Sequence, residues 1–157
     1  MNKIKRPHGI ILFAGLLTGT LDILAAIIQT YLYGGKPVKM FQYIASGVFG
    51  EDSFTGGVTH ALYGLVFHYL IAFVWAILFF LLYPRVNLLK QNRLLTGVGY
   101  GVFIWMIMNL VVLPLSNVPR SLLDIKSAAT GMLILIAAVG LPLSYLASRF
   151  FSGNRAD

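Results

Sequence analysis

Asp22 stands in the stretch GLLTGTLDILAAIIQTYLY (residues 15–33), which is otherwise apolar enough to sit in a bilayer. A carboxylate there costs roughly 2.5–3.5 kcal/mol even on the lenient insertion scale, so it is expected to face a protein interior and to have a partner. Four more residues in apolar surroundings could act with it: His60, Tyr63 and His68 in GGVTHALYGLVFHYLIAFVWA, and Asn109 in MNLVVLPLS. An aspartate and an imidazole at one depth can relay a proton or hold each other by charge or hydrogen bond, because histidine titrates near neutral pH.

Other chemistries find little support. The chain has no cysteine, which excludes disulfides, thiolate metal sites, iron–sulfur clusters and cysteine nucleophiles. It carries no G-x-S-x-G elbow, H-E-x-x-H, paired carboxylates or glycine-rich phosphate loop, so a non-enzymatic role is expected and no cofactor is named. The run GVGYG (residues 97–101) invites comparison with potassium-filter loops, but it opens a long apolar helix rather than a re-entrant loop.

The elements that must position these residues follow from composition. Of 157 residues, 58% are hydrophobic and 11% charged, against about 25% charged in an ordinary soluble domain. This predicts an all-α, polytopic membrane protein, one membrane domain over residues 1–157, with spans at about 9–33, 57–83, 94–115 and 127–148. Each exceeds the roughly 20 residues that a 30 Å hydrocarbon layer demands. The first span follows the basic MNKIKRPHG and is too long for a signal-peptide core, so it is expected to stay.

Orientation comes from Lys and Arg. Lys3, Lys5, Arg6, Arg85, Lys90, Arg93, Arg149 and Arg155 fall on one side, and Lys36, Lys39, Arg120 and Lys126 on the other, eight against four. The positive-inside rule then predicts both termini in the cytoplasm. It also accounts for the net charge of +7 without nucleic acid as a partner, since the basic residues are spread over loops and ends. Residues 37–50, with Val38, Phe41, Ile44, Ala45 and Val48 at near-helical spacing, are too short to cross. They predict a short helix lying in the interface or dipping into the bundle mouth, with Gly47, Gly50, Gly56 and Gly57 allowing turns around it.

Helices in lipid associate through small residues that let backbones approach and through occasional polar contacts. Gly15 and Gly19 in span one, Gly64 in span two, Gly97 and Gly101 in span three and Gly140 in span four are the expected packing positions, while bulky residues such as Phe73, Phe79, Phe80, Leu81 and Leu82 are left mostly for lipid or interhelical gaps. At 1.5 Å per residue, Asp22 lies about 20 Å into span one and His68 about 17 Å into span two from the opposite side, so both fall near the midplane and are expected to meet. His60, Asn109 and Tyr63 are expected in a shallower layer of the same buried polar cluster.

Three readings of that cluster stand open. It can fix helix register, as in a structural or accessory membrane subunit. It can serve a small proton-coupled carrier, which with four helices would call for a homo-oligomer or a larger membrane complex. Or it can belong to a quinone- or haem-associated subunit, although His60 and His68, about 12 Å apart along one helix, cannot ligate one haem together.

The ordered set TGTLDILAA, FQYIASGVFG, GGVTHALYGLVFHYLIAFVWA and MNLVVLPLS resembles an uncharacterised group of small four-span bacterial inner-membrane proteins, over about residues 9–147. The resemblance implies a bacterial cytoplasmic membrane and the same four-span layout. It implies no substrate.

Overall fold

The computed structural model describes residues 7–119 and 124–153. Lys3, Lys5, Arg6, Arg120 and Arg155, used above for orientation, lie outside the described residues. Five helices follow in order: α1 (Pro7–Leu32), α2 (Pro37–Phe49), α3 (Gly57–Leu82), α4 (Arg93–Leu115) and α5 (Ile125–Ser152). All but α2 are long and apolar enough to cross a membrane, and no strand occurs among the described residues. The outward faces expose Leu12, Leu24, Leu62, Leu70, Val74 and Leu133, side chains suited to lipid and not to water. The protein is a multi-pass membrane protein built as a four-helix bundle.

Local chemistry sets the helix ends. The Oδ1 of Asn92 accepts from the backbone N–H groups of Leu94 and Leu95 at 2.9 and 3.2 Å, capping α4. Asp124 does the same for α5 through Ser127 N–H at 2.9 Å. Pro37 occupies the first turn of α2, where its missing N–H costs nothing. Gly50 and Gly57, at φ of 65° and 61°, turn the chain on either side of a short 3₁₀ segment, Gly50–Phe54, in a region that side chains with a Cβ avoid. Gly47, read above as a turn residue, is instead inside α2.

Helix α1 packs against α3 and α5, and α4 against α5. At Gly97, Gly101 and Gly140 the backbones of α4 and α5 are nearly in contact: a Cβ on Gly101 would sit 2.5 Å from Ile136 Cα, and one on Gly97 2.8 Å from Leu141 Cα. Gly15 faces Phe73, and Gly19 faces Tyr69 and Ala72. Gly64 departs from the expected span-to-span contact, because the backbone of α2 at Phe41 occupies the space its Cβ would need.

Helices α3 and α4 meet mainly through large side chains. Phe79 and Tyr100 rings lie 4.6 Å apart, and the Tyr100 hydroxyl donates to Trp75 O at 2.8 Å. Phe79 and Phe80 are 0% and 3% exposed, which corrects the expectation that such rings are left mostly for lipid or gaps. Lipid is as apolar as a protein interior, so hydrophobicity alone does not tell an inward face from an outward one. Leu81 on the same helix does face outward. Phe79, Phe80 and Tyr100, together with Tyr83, Leu143, Ala147 and Phe151, fill the end of the bundle away from α2.

Candidate functional site

The other half of the bundle is hollow. A cavity of about 590 Å³ lies among α1, α2, α3, α4 and α5. It runs from Asp22, His68 and Trp75 at mid-height to Gln29, Tyr43, Asp124 and Ser127 at the end that carries α2. Asp124 and Ser127 are exposed, so the mouth is there.

Two departures from regular α-helix border this space. Met108–Val112 in α4 and Leu135–Gly140 in α5 are π-helical, and each is followed within two residues by proline, Pro114 and Pro142. A proline lacks the N–H that would bond the carbonyl four residues back, at Leu110 and at Ala138, and its ring crowds that carbonyl, so the preceding turn widens. The widened turns carry Met108, Asn109, Leu135 and Val139, all of which line the cavity.

Asp22 and His68 stand together at its inner end. The Oδ2 of Asp22 is 3.9 Å from Nδ1 of His68, with side chains 22% and 11% exposed. The other ring nitrogen, Nε2, lies 2.8 Å from the carbonyl oxygen of Gly19. A carbonyl only accepts, so Nε2 carries the proton and the tautomer is fixed. This leaves Nδ1 as the nitrogen that can gain or lose a proton, and it faces the carboxylate. The separation exceeds hydrogen-bond length and leaves the pair electrostatic or bridged by water.

Asn109 lines the same cavity. Its Nδ2 donates to Trp105 O at 2.9 Å, one turn back, which leaves its amide oxygen as an acceptor. Gln29, at the mouth, donates to Ser127 O at 3.3 Å and ties α1 to α5. Tyr43 on α2 completes the wall, and burial pushes its phenol above the ordinary tyrosine value.

His60 and Tyr63 are not part of this group. Phe49 of α2 packs against both rings, at centroid distances of 5.3 and 5.4 Å, and Tyr63 is 45% exposed. His60 Nδ1 is buried with no hydrogen-bond partner among the described residues. The reason is helical phase: eight residues at about 100° each turn His60 about 80° away from His68, and five turn Tyr63 about 140° away. The single five-residue polar cluster expected above is therefore two sites, with Asp22, His68 and Asn109 in the cavity and His60 and Tyr63 under α2.

The sequence reading missed Trp75, Tyr43 and Asp124 as cavity residues, as well as the π segments. Pro142 inside an apolar run is the signal for one of these segments, and Pro114, in MNLVVLPLS, is the signal for the other. Among the described residues, no three His, Asp or Glu side chains are grouped to hold a metal ion. A second hollow, about 540 Å³ along Leu82, Leu88, Leu95 and Phe103, is an apolar surface groove without a titratable group apart from Tyr100.

Comparison with protein-family models, curated proteins and solved structures gives no match. The reading of the site rests on its own geometry.

Proposed function

We propose that the protein is a small proton-coupled carrier, not an enzyme, that binds its solute in the cavity headed by Asp22 and His68. The observation that carries this reading is the 2.8 Å contact between His68 Nε2 and the Gly19 carbonyl, with Nδ1 turned to Asp22. With Nε2 held by Gly19, the nitrogen left to exchange a proton faces a carboxylate on the wall of a cavity large enough for a small molecule. An unprotonated Nδ1 and an ionised carboxylate are two acceptors face to face, so the arrangement is favourable with one proton between them. A solute that engages Asp22 changes where that proton rests. Tyr69 on α3, hydrogen-bonded to Thr20 at 2.9 Å, lies beside the pair, and Tyr43 on α2 and Asp124 on α5 are titratable groups farther along the same cavity. The π segments in α4 and α5 add places where these helices can shift.

The proposed setting is a bacterial cytoplasmic membrane with both termini inside, supported by the eight-to-four distribution of Lys and Arg and by the resemblance to small four-span proteins. The cavity then opens outward. Four helices are few for alternating access, so the working form is a homo-oligomer or a larger membrane complex.

Proteoliposomes containing a pH-sensitive dye test the proposal. Solutes presented across a pH gradient are expected to drive proton flux that Asp22→Asn abolishes while helical circular dichroism is retained. Flux unchanged in Asp22→Asn overturns it. A second reading, an accessory subunit whose polar layer fixes helix register, is favoured by the His68–Gly19 hydrogen bond and by the tight seat of Gly19 against Tyr69 and Ala72. It takes over if Asp22→Asn and His68→Ala only lower thermal stability, with a coupling of about 0.5–3 kcal/mol in a double-mutant cycle.

A further inference from the structure

The cavity has a sign as well as a size. Asp22 lies at its inner end and Asp124 at its mouth, and no Lys or Arg is among the described residues that line it. Lys126, two residues from Asp124, is exposed and outside the lining. Clefts lined by one sign of charge within low-dielectric walls concentrate ions of the opposite sign. The walls agree with the charges: the chain has two tryptophans, Trp75 and Trp105, and both line the cavity together with Tyr43. Aromatic rings present negative faces that attract cations, and the attraction strengthens where water is excluded. An anion would meet two carboxylates and these rings, with His68 alone among the described lining residues to offset them.

We propose that the cavity takes an organic cation, a protonated or quaternary amine with apolar substituents, whose charge is held by Asp22. The inference rests on the reading of the cavity as a solute site. Ile71, Ile104 and Met108 supply the apolar surface for the substituents. A free metal cation is a poorer match, because it would need several oxygen ligands close together, whereas an alkylammonium asks for one carboxylate and π faces.

The absence of cysteine makes the test direct. Ala26→Cys places one thiol on the cavity wall, and Leu115→Cys, at a position 83% exposed, places one outside it. Each is labelled with the trimethylammonioethyl and the sulfonatoethyl methanethiosulfonates. The cation-to-anion rate ratio at residue 26, normalised to that at residue 115, is expected on the order of tenfold. It is expected to fall toward one in Asp22→Asn. Benzyltrimethylammonium is expected to protect Ala26→Cys, and its uncharged carbon isostere neopentylbenzene is not. Equal entry of both reagents, or equal protection by the isostere, overturns the cation assignment and leaves the open cavity standing. Labelling at residue 115 with none at 26 overturns the open cavity itself. The reagent and isostere comparisons need no change at Asp22, so they decide the matter even if Asp22→Asn does not fold.

Discussion

Where α4 meets α5 at Gly101 the bundle is solid, and near Asn109, less than three turns along the same helix, it is hollow. In the solid half, Gly97, Gly101 and Gly140 bring α4 and α5 together backbone to backbone, and Phe79, Trp75 and Tyr100 fill the gap between α3 and α4. In the hollow half, the proline-linked π turn at Met108–Val112 widens α4, and Gly131 on the cavity wall has nothing within 4 Å of where a Cβ would be. Because apolar side chains gain little by leaving lipid for a protein interior, close packing is what holds these helices. Concentrating that packing in one half frees the other to keep a space around polar groups.

The contrast can be broken at matched glycines. Gly101→Ala forces a methyl group against Ile136 and is expected to lower stability by about 1–3 kcal/mol, read as a lower melting temperature in detergent. Gly131→Ala adds the same methyl where there is room and is expected to raise stability by up to about 1 kcal/mol through helix propensity alone. Similar losses from both would mean that the halves are equally packed. A smaller effect sharpens the picture of the solid half. Tyr100→Phe removes only the hydroxyl bonded to Trp75 O and is expected to cost about 0.6 kcal/mol, the average for interhelical hydrogen bonds in membranes, with ring packing unchanged. Its melting temperature should therefore fall less than that of Gly101→Ala.

Much of the architecture was legible in the sequence. Long apolar runs dictate spans, and the small-residue positions mark where backbones approach. The closeness of Asp22 and His68 could be read from depth, since rise per residue is constant and both lie near the midplane. Depth without phase misled at His60, which shares a helix with His68 but not a face. The cavity was not legible, because periodicity tells which way a residue points and not how far apart two helices stand. That distance depends on the widened turn at residues 108–112 and on the rings at positions 75, 79 and 100. Phe79 and Phe80 were misjudged for a related reason, as an apolar side chain suits lipid and core alike.

The geometry predicts that water reaches the half of the bundle around Asp22 and His68 and is shut out of the packed half. Labelling with a small uncharged thiol reagent in a single-cysteine pair tests it most directly. Gly131→Cys places the thiol on the cavity wall, and Ala76→Cys places it at a fully buried position in the solid half. Ready labelling is expected at residue 131, with protection at residue 76 until the protein is denatured; equal protection at both positions in the folded protein would mean that no open cavity surrounds Asp22 and His68.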